Sequence, residues 1–323
     1  MAPFFRRGLR DPHNLKAAMP NGRLVCRFLS TAGWVVLLAA AAFEGGGAGP
    51  DSGSLAALVP VVPAMSVVPV APADPAPSAA APKATSRVVA SSITSARTGA
   101  TYPLEIYLPA SYDGGSVAAY PVIYAMDGDA VFNAPGTRFE NFERILEKRH
   151  AQAILVGIGG TARREQDYLL PGARAYHDFL VQELVPFIEA RYRADAHKRL
   201  LTGLSWSGSM TGLALFMEAA SGTLTFSHFL AFEASFDSQE AENNALEQRM
   251  FDAWGRNKPL PATLVLTRCD SPRDCNFGNV NDMYKRLRSR GYPQFVMTET
   301  TYIQTHSGTD VASFADVAAK LFP

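Results

Sequence analysis

The sequence predicts an α/β fold with a mostly parallel central sheet covered by helices on both faces. Three observations carry that expectation. From residue 88 onward, short apolar runs alternate with helix-length amphipathic stretches. The inner runs are continuously apolar rather than alternating, as strands buried on both sides are. One of them, Arg199 to Thr202, leads through Gly203-Leu204-Ser205-Trp206-Ser207-Gly208 straight into a helix-compatible stretch, Ser209 to Ala220. That is the pattern of a strand turning sharply into a helix.

The elements follow in order. Val88 to Ser95 and Tyr102 to Leu108 read as paired strands around a turn at Thr98-Gly99-Ala100, with Leu104, Ile106 and Leu108 alternating inward. Residues 109–115 form a loop. Tyr120 to Met126 is a continuous apolar strand that runs into Asp127-Gly128-Asp129. Phe139 to His150 suits a helix presenting Phe142, Ile145 and Leu146, and Ala153 to Ile158 is the next buried strand. Tyr176 to Tyr192 is a second helix, with Phe179, Leu180, Leu184 and Phe187 inward. Leu200 to Leu204, Ser227 to Glu233 and Ala262 to Thr267 are further strands. Asn279 to Arg290 is a helix, Gln294 to Tyr302 the last strand, and Asp310 to Phe322 the closing helix. There is no internal repeat.

What precedes residue 88 has a different character. Residues 1–27 are rich in Arg and Lys, and Phe28 to Phe43 is mostly apolar and ends in small residues, the layout of a secretory signal. The apolar run is shorter than the about 20 residues a spanning helix needs, so cleavage is expected over a retained anchor at 28–43. Residues 44–87, dominated by Ala, Pro, Gly, Val and Ser, read as an extended linker. The division is therefore a signal segment at 1–43, a linker at 44–87 and one catalytic domain at 88–323. A periplasmic or secreted location follows, with membrane contact only through the N-terminal segment if it stays uncleaved.

Lys+Arg and Asp+Glu both number 30, so no charge excess draws this chain to nucleic acid. Three cysteines are present; Cys26 lies in the signal segment, and Cys269 and Cys275 are expected to clip one loop as a disulfide. No Cys/His cluster has metal-binding spacing, and no cofactor is implied.

A serine at a strand–turn–helix corner is how α/β-hydrolases present a nucleophile: the turn exposes the hydroxyl, and the helix N-terminus faces the developing oxyanion. Ser205 is the candidate, with Ser207 standing where the usual pattern has a second glycine. A serine nucleophile needs a base, and the base an orienting carboxylate, arriving in that fold as Ser, then acid, then His. Of six histidines, only His306 sits between the last strand and the last helix, and it is the candidate base. For the acid, Asp270 leaves the Ala262–Thr267 strand at the edge where such sites gather. Asp274 is its main rival; Glu299 and Asp310 are more remote candidates. The oxyanion donors expected are the N–H of Trp206 and one from Gly128 or Asp129.

These residues resemble those of the esterase family that includes enterochelin (ferric-siderophore) esterases, feruloyl esterases, S-formylglutathione hydrolases and mycobacterial mycolyltransferases. The likeness is carried by Tyr107-Leu108-Pro109 with Ser111-Tyr112, by Tyr120 to Tyr124 with Asp127-Gly128-Asp129, and by Val156 to Gly159 with Arg163 or Arg164 and Asp167-Tyr168. Phe179-Leu180 through Ile188, Leu201 to Ser205 and Thr305-His306 complete it. The resemblance implies Ser205 as nucleophile, His306 as base and Asp129 as the second oxyanion donor; the mycolyltransferases are similar in having serine two places after the nucleophile. Two departures stand out. Glu233-Ala234-Ser235-Phe236 replaces the Ser-Pro-Ser of siderophore esterases, and no glycine precedes the acid in Thr267-Arg268-Cys269-Asp270.

The reading is an exported serine esterase that cleaves a small-molecule carboxylic ester through an acyl-enzyme, with a siderophore ester favoured. Arg163 and Arg164 would meet an anionic iron–catecholate, and Phe132 would line an apolar pocket beside Trp206. Acyl transfer to a sugar or lipid alcohol on the same triad is the alternative, a feruloyl-type esterase the second. A non-catalytic binding module is disfavoured by the joint presence of Ser205, His306 and a placed aspartate.

Overall fold

The structure is a computed structural model that describes residues 85–115, 119–271 and 273–323. The signal segment at 1–43 and nearly all of the linker expected at 44–87 lie outside the described residues. Among the described residues no helix is long and apolar enough to cross a membrane.

Eight strands form one sheet in the order β1-β2-β4-β3-β5-β6-β7-β8. They are β1 (Arg87–Thr94), β2 (Thr101–Leu108), β3 (Tyr120–Ala125), β4 (Ile154–Ile158), β5 (Ala194–Leu204), β6 (His228–Phe232), β7 (Thr263–Cys269) and β8 (Val296–Tyr302). β1 and β2 are a hairpin, and β2 runs antiparallel to β4. From β4 to β8 every pairing is parallel. This is the sheet of the α/β-hydrolase fold, as the alternation of runs predicts.

Helices cover both faces, and the period of two along a strand decides which core each side chain joins. On β3, Val122 and Tyr124 enter one core, which α3 (Gly172–Phe179) and α5 (Trp206–Ser221) cover through Tyr176, Phe179, Met210 and Leu213. Ile123 and Ala125 enter the other, under α1 (Arg138–Lys148) and α8 (Gly308–Leu321), where the rings of Phe142 and Phe314 stack. Between them in sequence lie α2 (Arg164–Tyr168), α4 (Val185–Glu189), α6 (Glu240–Trp254) and α7 (Phe277–Arg290). Twelve of the sixteen residues of α5 are buried, so the helix behind Ser205 is packed nearly all round rather than amphipathic.

Two boundaries and one whole helix depart most from the sequence expectation. β5 begins at Ala194, six residues early, because polar Asp195, His197 and Lys198 extend the strand beyond the sheet's buried centre. The helix read at 176–192 starts at Gly172 and passes through a wider π turn at Leu180–Leu184 before α4. Helix α6 was not expected at all: Glu240 to Trp254 carries a weak apolar stripe and lies on the outside of α5.

One ion pair ties the layers together. Arg138, at the start of α1, grips Asp310 of α8 through two nitrogens, at 2.9 Å from both Nε and Nη2. The same guanidinium donates to the carbonyl of Met126 at 2.7 Å and to the Thr202 hydroxyl at 3.0 Å. Both side chains are essentially out of solvent, at 0% and 1% exposure, so the pair holds only because its donors are also satisfied.

Candidate active site

The C-terminal ends of β3, β5 and β6 are neighbours in the sheet, and each is followed by a turn residue at positive φ. These are Asp127 (φ 55), Ser205 (φ 63) and Glu233 (φ 45). A non-glycine residue in that region costs on the order of 1–3 kcal/mol and persists where surrounding structure enforces it. At Ser205 the enforcement is visible. A Cβ on Gly203 would collide with the backbone of Ser207, and one on Gly208 would lie 2.6 Å from the Phe232 carbonyl oxygen. Glycine at both places lets the chain turn tightly enough to lift Ser205 at the head of α5.

Ser207, in the place of the expected second glycine, has a task of its own. Its fully buried hydroxyl donates to Asp127 Oδ2 at 2.7 Å and accepts the Leu204 N–H at 2.8 Å. Asp127 also accepts from Tyr168 at 3.2 Å and pairs with Arg164 at 3.2 Å. Burial pushes its carboxyl above the usual aspartate range, against the pull of Arg164. The turn after β3 and the turn after β5 are thus joined through one hydroxyl.

His306 lies in the loop between β8 and α8, as its position predicts. Its Nδ1 is 2.8 Å from Glu233 Oε2. A buried carboxylate accepts, so Nδ1 carries the proton and Nε2 keeps its lone pair for a substrate-side partner. Glu233 is completely buried and also receives the Cys269 N–H at 2.6 Å and the Asn276 N–H at 3.0 Å. Those donors bracket the loop closed by the Cys269–Cys275 disulfide, whose Cα atoms are 5.6 Å apart.

The carboxylate on the imidazole is therefore Glu233, not Asp270. Asp270 is exposed, and its backbone N–H bonds the Tyr302 carbonyl at 3.1 Å. Asp274 is exposed and accepts from Ser271; Glu299 pairs with Arg268, and Asp310 with Arg138. Physical reasons favour Glu233. It follows β6, the strand beside Ser205, so Leu204↔Phe232 register sets the two residues side by side. A signal was present in the sequence: a lone carboxylate inside the apolar run His228 to Ala234 must be buried, and a buried carboxylate needs donors.

The Ser205 hydroxyl is hydrogen-bonded to the Ser235 hydroxyl at 3.1 Å rather than to His306. The expected oxyanion donors divide. Gly128 is unsuited, because its N–H is spent on the Ile158 carbonyl at 2.8 Å. The N–H of Asp129 makes no hydrogen bond among the described residues, and its carboxylate is pinned by the Gly160 N–H at 2.9 Å and by Thr161. The N–H of Trp206 opens α5, where first-turn donors have no partner within the helix. Parallel pairing of Ala125 with Thr202 brings these two turns to the same height on the sheet edge.

The arginines are not the free cations expected of them. Arg163 forms a two-point pair with Asp167, and Arg164 spends its charge on Asp127 and its Nη2 on the Leu204 carbonyl at 2.9 Å. Arg164 still shapes the site: its guanidinium lies 5.3 Å from the Phe132 ring centre and 5.6 Å from that of Trp206. Trp206 is further held by its indole N–H on Ser238 at 3.0 Å. Phe132, Arg164 and Trp206 thus form one half-buried wall next to Ser205. Among the described residues the one trio suited to a metal, Glu233 with Cys269 and Cys275, has both sulfurs committed to each other.

Residues 95–232 match the model of the family described as Putative esterase. No curated protein sequence matches the chain. Among solved structures, an IroE-like serine hydrolase from Shewanella oneidensis is similar at a TM-score of 0.59 and 22% identity, over 73% of this chain and 80% of that one. The siderophore hydrolase EstB from Aspergillus nidulans is similar at 0.60 and 16%, over 76% and 96%. A ferulic acid esterase is similar at 0.53 and 19%, over 74% and 97%. At these identities the structural likeness speaks for the fold.

Proposed function

We propose a serine esterase that works through Ser205, His306 and Glu233, a reading supported by the match of residues 95–232 to the Putative esterase family model. The single observation that carries the triad is the buried Glu233 carboxylate on His306 Nδ1, on the strand beside the nucleophile elbow. Glu233 fixes the imidazole tautomer and stabilises the cation that forms when Nε2 takes the Ser205 proton. Ser205 Oγ attacks the ester carbonyl, and the N–H groups of Trp206 and Asp129 receive the oxyanion. His306 then protonates the departing alcohol, and water, activated by the same Nε2, releases the acid.

Two observations support an ester whose acyl part carries an aromatic or other flat apolar group, as feruloyl and catecholate-siderophore esters do. The Phe132–Arg164–Trp206 wall offers stacking faces. Val131 and Ile303, 65% and 88% exposed, sit on the loops that carry Asp129 and His306, and present apolar surface at their rims. The neutralised arginines favour recognition by stacking over recognition of a negative charge. Export is supported by the disulfide, which an oxidising compartment maintains.

Hydrolysis of p-nitrophenyl butyrate by the full-length protein tests this reading. Turnover is expected to fall by at least about 10³-fold in Ser205→Ala and in His306→Ala, the scale on which triad members act. Activity retained in both variants would remove the triad. A panel of feruloyl and catecholate esters, with an acceptor alcohol added, separates hydrolysis of either class from acyl transfer.

A further inference from the structure

Ser235 touches the Ser205 hydroxyl, and its hydrogen bonds have a readable direction. Asn276 Nδ2 lies 2.7 Å from the Glu233 carbonyl oxygen and 2.8 Å from Ser235 Oγ. A carbonyl oxygen only accepts, so the amide nitrogen, not its oxygen, must face both atoms, and its two protons are thereby spent. Ser235 Oγ consequently receives a proton from Asn276. Its own proton has one acceptor among the described residues, Ser205 Oγ at 3.1 Å. Ser235 is 7% exposed, which leaves little room for water to take that proton instead. The backbone locks the arrangement, since the Ser235 N–H donates to the Ser205 carbonyl at 3.2 Å.

We infer that Ser235 is a catalytic residue that donates a permanent hydrogen bond to Ser205 Oγ, oriented by Asn276 and resting on the serine-esterase reading above. Because Ser235 donates, the Ser205 proton remains available to His306. When Nε2 removes that proton, the electron pair left on Oγ forms the bond to the acyl carbon, and the Ser235 hydrogen bond strengthens as charge builds. In deacylation the carbon–Oγ pair returns to Oγ, which meets the same donor before His306 reprotonates it. Ser235 keeps its proton throughout, so it acts as a third charge-stabilising donor, aimed at the nucleophile rather than at the carbonyl oxygen. Asn276 is a positioning residue, serving Glu233 and Ser235 with one side chain.

The test uses p-nitrophenyl butyrate and the full-length protein, with Ser205→Ala as the control for the esterase reading itself. Activity that survives Ser205→Ala, or is missing from the unaltered protein, sinks that reading and this inference together. With the control passed, Ser235→Ala is expected to lower kcat on the order of tenfold, the scale of one hydrogen bond to a charged oxygen, with KM within twofold. The rate at which a fluorophosphonate labels Ser205 should fall by the same factor, and Ser235→Thr, which keeps the hydroxyl, should restore most of both. A kcat within twofold of the unaltered protein in Ser235→Ala would overturn the inference. So would a loss expressed in KM while the labelling rate is unchanged, which marks a packing role.

Discussion

At the residue scale, what matters about a catalytic carboxylate is how many donors hold it and how little it moves. Glu233 receives three N–H groups while fully buried, so its charge is solvated by fixed dipoles instead of water. Glutamine keeps the shape but must turn an NH2 toward one of those donors, so activity and some stability should be lost together. Glu233→Gln is expected to reduce kcat by about 10²- to 10⁴-fold, through loss of the imidazole's orientation, whereas Asp270→Asn should stay within a few-fold. Steady-state kinetics on the two variants decide it; equal losses would return Asp270 to the site. The places of Ser205 and His306 in the fold were legible because they follow from the order of strands and helices alone. The carboxylate on His306 was not, because two different strand ends can deliver a carboxylate to one imidazole, and sequence does not show which one the sheet brings there. Arg163 and Arg164 misled for a related reason: sequence shows a charge but not the carboxylate that already balances it.

At the element scale, the loop from Cys269 to Asn276 does the work of a socket. Its two ends supply the backbone donors for Glu233, and the Asn276 side chain reaches on to Ser235. The disulfide fixes the distance between those ends. Reduction with a dithiol should lower kcat several-fold at temperatures where the fold itself is intact by circular dichroism, and Cys269→Ser with Cys275→Ser should reproduce the loss without reductant. Unchanged turnover with two free thiols titrated would separate the disulfide from catalysis. The strands were readable from apolar runs of the right length. Helix α6 was not, because its stabilisation comes from lying against α5 and from Glu247 meeting Arg286 and Arg290 of α7, contacts that leave no periodic trace.

At the scale of the whole molecule, the sheet order gathers residues from four separated segments onto one edge, and Arg138 is the buried clasp. It joins α1, the ends of β3 and β5, and α8, whose first turn follows the His306 loop; Asn133 adds a second tie, donating to the Ser307 carbonyl at 2.8 Å. Breaking one side of such a buried pair costs about 3–5 kcal/mol. Arg138→Met should lose that much in urea unfolding, and adding Asp310→Leu should recover part of it, since no uncompensated charge then remains. A loss below about 1 kcal/mol in the single variant would show the pair to be dispensable. The fold was legible at this scale because alternation and continuous strands dictate a parallel sheet. The clasp was not, because Arg138 reads as an ordinary surface residue opening a helix.

The three consecutive strand ends that finish in left-handed backbone have a bearing on how this protein can change over time. Glycine would relax the backbone at 127, 205 and 233, but at 127 and 233 it would also strand Arg164 and the N–H groups that the buried carboxylates hold. Only at 205 is the relaxation largely free of that cost, and there it would delete the hydroxyl proposed as nucleophile. Of the three turns, the one open to easy stabilisation carries the side chain that the proposed reaction cannot spare, and robustness has to be found elsewhere in the sheet.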